Sequence, residues 1–198
     1  VPNGCSASVS RQGMVTMTHN SVNVSSLACG SGTSRLIGEA NSLVRVSLSI
    51  DIDVVNISIT GPSDVWFGVG FGAQAMKDAP WVIIVEGEND DTKVSERKLA
   101  DQNPGQLLKD SVQVISTSST KDNRTVVLTR SRVGLDNRYF TFEMNATNIQ
   151  IINAIGNTPE LSYHKNKSPA QLSLLPLRDG KSAGACICES PPPAFGHG

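Results

Sequence analysis

Positive charge is not in excess: seventeen Lys and Arg face eighteen Asp and Glu over 198 residues, a formal net charge of −1. Without a basic field to collect phosphates, a nucleic-acid role is disfavoured. Long apolar runs are missing too. The longest, Trp81 to Val85, has the length of a buried strand and falls far short of the roughly 20 residues of a spanning helix. Charged residues make up only 18% of the chain and aromatic ones 5%, whereas Ser and Thr number 24 and 12. That balance excludes a chain of long amphipathic helices and fits a β-rich extracellular protein of one domain. G-x-S-x-G, H-E-x-x-H and calcium-loop spacings are all absent, so hydrolytic chemistry has no support. Cys186-Ile-Cys188 is followed by Glu189, not His, which removes the signature of covalent haem attachment.

Thiols are missing from the whole middle of the chain. Cys5 and Cys29 lie near one end, Cys186 and Cys188 near the other. An even count at the margins reads as disulfide stapling in an oxidising compartment, linking the N-terminal pair to the C-terminal pair or Cys5 to Cys29. C-x-C brackets too small a ring to be an unstrained bridge, and the set lacks the C-x2–4-C knuckles of zinc sites. Five N-x-S/T sequons, at Asn23, Asn56, Asn123, Asn145 and Asn166, point the same way, the last weakened by Pro169. The chain begins Val-Pro-Asn-Gly with no Met and no signal peptide, which reads as a processed or trimmed N-terminus.

The clearest pattern has period two. Val44, Val46, Leu48, Ile50, Ile52 and Val54 alternate with polar residues, and the phase then shifts to Val55, Ile57 and Ile59, predicting a strand with a bulge or break near Val54. After the turn at Gly61–Asp64, Phe67, Val69 and Phe71 point one way while Gly68, Gly70 and Gly72 point the other. A glycine face admits a flat ligand or another backbone at close range. Further strands are predicted at 81–85, 92–99, 112–116, 124–130, 139–144 and 149–155, with a helical turn possible only at 170–177. Short strands separated by turn clusters predict an all-β antiparallel sandwich or barrel. The expected organisation is N-terminal strands and a stapled segment (1–39) belonging to the same domain as the core (40–177), followed by a Gly/Ser/Pro-rich tail or linker (178–198).

The stretch Asp64-Val-Trp-Phe-Gly-Val-Gly-Phe-Gly-Ala-Gln-Ala-Met-Lys-Asp-Ala-Pro-Trp81, followed by Ala154-Ile-Gly156 and Leu161-Ser-Tyr-His-Lys165, resembles a DOMON domain over about residues 40–175. The resemblance implies an immunoglobulin-like β-sandwich. Its haem-binding branch includes the cytochrome domain of cellobiose dehydrogenase and the extracellular domains of ascorbate-reducible cytochromes. Members of that branch carry a b-type haem at one end of the sandwich on one Met and one His, which here match Met76 and His164. Trp66, Phe67, Phe71, Trp81 and Tyr163 are then the candidates for haem contact, because porphyrin needs apolar walls. Met14, Met17, Met144 and His19 lack the flanking pattern and read as structural, and Lys77 and Lys165 read as solvated surface.

A thioether and a neutral imidazole fill both axial positions of a haem, which suits electron transfer and not oxygen activation. The resemblance therefore implies a secreted or cell-surface b-type cytochrome module. Its partners would be a redox protein or a small reductant such as ascorbate, with a transmembrane cytochrome domain possible in a longer chain and self-assembly left open. The alternative is a haem-free DOMON module for carbohydrate recognition, adhesion or matrix assembly.

Overall fold

A computed structural model describes residues 4–9, 15–20, 34–88, 91–100 and 103–178, the first two segments as backbone alone. Two compact units are present. In the first, β1 (Gly4–Val9) and β2 (Val15–Asn20) form an antiparallel ladder with Cys5 opposite His19. Cys29, Cys186, Cys188, Asn23 and Met14 lie outside the described residues, and the disulfide pairing with them.

The second unit, Ser34–Leu177, is all β among its described residues apart from single-turn elements. Its strands are β3 (Ser34–Asn41), β4 (Arg45–Ile50), β5 (Val54–Pro62), β6 (Phe67–Phe71), β7 (Trp81–Glu86), β8 (Lys93–Ala100), β9 (Asn103–Leu107), β10 (Gln113–Ser119), β11 (Asn123–Ser131), β12 (Asn148–Ile155) and β13 (Asn166–Arg178). They make one curled sheet in the order β10-β11-β5-β4-β3-β13-β12-β6-β7-β8-β9.

The curl brings the two halves of the sheet face to face. Val46, Leu48 and Ile50 of β4, Ile57 and Ile59 of β5, and Val126 and Leu128 of β11 share one core with Phe67, Val69 and Phe71 of β6, Trp81, Ile83 and Val85 of β7, Ile151 of β12 and Leu172 of β13. Period-two alternation gives each strand one inward face, and burying those faces together yields the antiparallel sandwich that the sequence predicts. Each such side chain, fully buried, contributes about 1.5–3 kcal/mol. Gly61 of β5 lies against the Phe67 ring, leaving no room for a Cβ.

Several local expectations are corrected. The alternation from Val44 to Val54 is not one strand. Asp51–Asp53 is the turn of a β4–β5 hairpin closed by Asp51 N donating to Val54 O (2.8 Å), and Ile52 is 65% exposed. Residues 139–144 are apolar at strand spacing but make no strand. They hang from arginines: Arg130 Nη2 donates to Phe140 O (3.0 Å) and Arg132 Nη1 to Phe142 O (2.8 Å). Residues 170–177 are strand, paired with β12, because Leu172 and Leu174 face the core. β3 and β9 were not expected as such, and β3 runs across position 40.

Candidate functional site

The outer face of β6 has almost no side chains. Phe67, Val69 and Phe71 point inward, leaving Gly68 and Gly70 outward between Ile84 and Val82 of β7 and Ala154 and Ile152 of β12. A second, smaller apolar cluster forms here. Trp66, Val82 and Ile84 are buried, with Leu99, Ala154 and Leu161 packed against them. A Cβ on Gly68 would stand 2.6 Å from Ile84 Cδ1, and one on Gly70 would stand 2.8 Å from Val82 Cγ1 and 2.9 Å from Ile152 Cγ1. The two glycines thus make a trough in the sheet whose rim is the side chains of Val82, Ile84 and Ile152.

One end of this face is closed by residues 72–80. Gly72 turns with φ +76° and donates to Gln150 O (2.8 Å). Gln74 Nε2 reaches Gln150 Oε1 (3.0 Å), which folds the segment back toward the outer side. A single 3-10 turn, Met76–Asp78, follows. Asp78 Oδ2 accepts from Gln74 N (3.1 Å) and Ala75 N (3.0 Å), and Ala79, left-handed at φ 50°, donates to Met76 O (2.9 Å). Met76 is thereby fixed in backbone position and half-buried.

The other end is closed by residues 156–165. Trp66 N donates to Thr158 O (2.8 Å), Gly156 N to Trp66 O (2.8 Å), Gly87 N to Pro159 O (3.0 Å), and Leu161 N to the Glu86 carboxylate (2.7 Å). Trp66 Nε1 also reaches Ser162 Oγ (3.4 Å). His164 sits in this segment, half-buried, with its ring 4.5 Å from that of Tyr163, which is 83% exposed.

Met76 and His164 are therefore not side by side. They flank opposite ends of β6, whose four steps from Phe67 to Phe71 span about 13 Å. Of the five expected contact residues, Trp66 and Tyr163 belong to the outer face or its end. Phe67, Phe71 and Trp81 face the main core: Phe71 packs 5.4 Å from both Trp81 and Phe142, and Trp81 Nε1 donates to Glu96 (2.9 Å). Met144 packs against that core as well. Asn56, Asn123, Asn145 and Asn166 are exposed.

Sequence reasoning missed three buried charged residues. Glu96 is fully buried and accepts from Trp81 Nε1, Ser111 N, Ser111 Oγ (2.6 Å) and Val112 N (2.8 Å). Arg124 and Arg130 share the inward face of β11 with Val126 and Leu128. Burial pulls both guanidinium groups below the ordinary arginine range, and the Glu96 charge partly offsets this at Arg130. The alternation Arg124-Val126-Leu128-Arg130 was the available signal, since both arginines fall in phase with core residues.

Open clefts border the closing segments. One of about 460 Å³ is lined by Asp78, Pro80, Trp81, Lys98, Asp136 and Phe140 among others, and one of about 390 Å³ by Glu86, Gly87, Glu88, Asp91, Lys93 and Glu160. Neither includes Met76 or His164, and the side chains of Val82, Ile84 and Ile152 crowd the trough over Gly68 and Gly70. Among the described residues, no group of three or more His, Cys, Asp or Glu could hold a metal ion.

The chain is similar in structure to the cytochrome b domain of pyranose dehydrogenase from Coprinopsis cinerea (TM-score 0.53, 12% identity, 66% of this chain and 76% of that one). It is similar also to the cytochrome domain of Myriococcum thermophilum cellobiose dehydrogenase (TM-score 0.52, 10% identity, 87% and 89%). The chain has the fold of these cytochrome domains. At 10–12% identity the likeness is one of fold alone. No protein-family model matches the sequence, and no curated protein does. In the cytochrome-domain fold of this chain, the glycine trough and its two closing segments form the candidate site.

Proposed function

We propose that the protein is an extracellular b-type cytochrome module that moves single electrons through a haem b held by Met76 and His164. The observation that carries the reading is the face between them. Each candidate ligand stands on a hydrogen-bonded segment at one end of a trough floored by Gly68 and Gly70. The donor set fits the group, since a thioether and an imidazole are the axial pair of an electron-transfer haem. The trough has a backbone floor and an apolar rim, and it suits an apolar planar group once Val82, Ile84 and Ile152, which fill it in the free protein, turn aside. Bound there, haem b would supply a one-electron iron couple with no vacant coordination position for oxygen.

This chain's residues have distinct tasks in that reading. His164 must be neutral to ligate, and its second ring nitrogen must donate to an acceptor that fixes the tautomer. Val82, Ile84 and Ile152 move aside and become the walls. Trp66 backs the His164 segment, and the exposed Tyr163 covers its solvent side. The redox partner is a protein or a small reductant, and the extracellular setting is supported by the sequons and by cysteines confined to the chain's margins.

Titrating the purified protein with haem b tests the reading. The expected result is a saturating, six-coordinate low-spin spectrum, with haem extractable by acid acetone. Met76→Leu should open a position to carbon monoxide, while Met144→Leu leaves the spectrum alone. A titration that gives only the spectrum of free haem, with no saturation, overturns the proposal in favour of a haem-free binding module, and equal changes in both variants overturn the ligand assignment.

A further inference from the structure

Arg124 is a buried cation with no carboxylate partner among the described residues, and it lies across the sandwich from the His164 segment. Its side chain leaves β11, passes over the Phe67 ring (5.4 Å from the centroid) and reaches the far half of the sheet. There Nη2 donates to Val65 O (3.2 Å), and Nη1 donates to Gly87 O and more distantly to Glu86 O (3.4 Å). Val65 precedes β6 and Gly87 follows β7, so one guanidinium ties together the ends of two neighbouring strands. Burying an arginine without a counter-charge is costly unless its donors are satisfied, and here the carbonyls at two strand ends are the acceptors that hold it.

What that place supports is the segment carrying His164. Residues 65–66 and 86–87 form the platform on which 156–165 docks. Four hydrogen bonds, made by Trp66 N, Gly156 N, Gly87 N and Leu161 N, join the segment to residues next to or at Arg124's acceptors, and a fifth, from Lys165 N to Ile155 O (2.8 Å), ties its far end to β12. The 72–80 segment at the other end of β6 has no connection to this arginine; its bonds run to Gln150, Asp78 and Leu99.

We propose that Arg124 is a positioning residue for His164: by fixing the carbonyls of Val65 and Gly87 from the core side, it holds the platform that sets where the imidazole stands. The inference rests on the proposed ligand role of His164 for its functional meaning, whereas the clamp itself is a property of the free protein. A lysine cannot reproduce it, because one compact ammonium cannot bridge two strand ends as a planar fork does.

The test has two arms, on Arg124→Lys and Arg124→Met, with Arg130→Lys as the buried-arginine control. In the haem-free protein, amide exchange at Trp66, Gly87, Gly156 and Leu161 should rise about tenfold or more in the Arg124 variants, with Gly72 and Ala79 unchanged. In the haem-loaded protein, the same variants should lose the low-spin spectrum of a histidine-ligated iron or release haem faster, and Arg130→Lys should do neither. Should Arg124→Met fail to fold, Arg124→Lys decides. Unchanged exchange at the four amides, or a rise equal at both ends of β6, overturns the clamp. Raised exchange with an unaltered haem spectrum overturns the positioning of His164. A wild type that binds no haem defeats the cytochrome reading alone, and the exchange arm still decides the clamp.

Discussion

Individual side chains in this core do more than fill space. Glu96 collects four donors, Arg130 lies 4.7 Å over the Trp81 ring, and the Tyr139 hydroxyl donates to Lys109 O (2.8 Å). Burial, and secondarily the Glu96 charge, push the Tyr139 hydroxyl above the ordinary tyrosine range. The linkage has a definite sign. With the folded value raised, the unfolded chain loses the proton first, so the contribution is whole below about pH 10 and is lost as pH rises toward the folded value. At neutral pH, Tyr139→Phe should cost about 1 kcal/mol for the hydrogen bond. Its melting temperature should then converge on that of the wild type between about pH 9 and 11, because only the wild type carries the alkaline penalty. Tyr163 is exposed and common to both proteins, so it cancels. A gap that stays constant over that range would refute the assignment to Tyr139.

At the scale of elements, β6 separates stability from site formation through its two faces. Gly61→Ala drives a methyl into the Phe67 ring, which is fully buried and has nowhere to go. Overpacking of this kind costs about 1–3 kcal/mol and should lower the melting temperature of free and haem-loaded protein alike. Gly68→Ala meets chiefly the Cδ1 tip of Ile84, which can rotate away, so the haem-free protein should stay within about 1 kcal/mol of wild type. Its methyl nevertheless occupies the trough, and haem affinity should fall. Thermal melts and haem titrations of both variants check this; weakened haem binding in Gly61→Ala with none in Gly68→Ala would move the haem off this face.

The same alternation explains what could be read from the sequence. The inward faces of β4, β5, β6 and β11 were legible, because each strand repeats one apolar residue in two. The glycine face was legible as its complement. The break at Asp51–Asp53 was legible only as a phase shift, since Ile52 continues the apolar pattern into a turn where it is exposed. Residues 139–144 misled because Tyr139, Phe140, Phe142 and Met144 imitate a strand, while the bonds that hold them come chiefly from the side chains of Arg130 and Arg132 and not from a strand ladder. Phe67, Phe71 and Trp81 seemed close to the site because they are near Met76 along the chain. Their parity, in phase with Val69, Ile83 and Val85, places them on the opposite side of the sheet.

For the Ser34–Leu177 unit as a whole, the candidate site runs the length of β6 and joins segments at both of its ends, and ligand binding there would therefore couple to global stability. Neither closing segment contains a strand; each is held by a handful of hydrogen bonds, the kind of segment that opens at lowest free energy. Haem bridging them would bind only the folded arrangement, and at a hundredfold excess over its dissociation constant it adds about 2.7 kcal/mol by mass action. For a domain of this size that is a rise in melting temperature of roughly 5–10 °C. His164→Ala removes one anchor of the bridge, so the variant should melt close to wild type without haem and gain little when haem is added. A purely structural histidine would behave otherwise, because losing a buried hydrogen bond costs about 1–3 kcal/mol with or without haem. Calorimetric melts of wild type and His164→Ala, each with and without haem, thus distinguish the two roles. A deficit that appears only with haem supports ligation across the sheet; an equal deficit in both states, with the haem spectrum retained, would make His164 a packing residue and transfer the iron to another ligand.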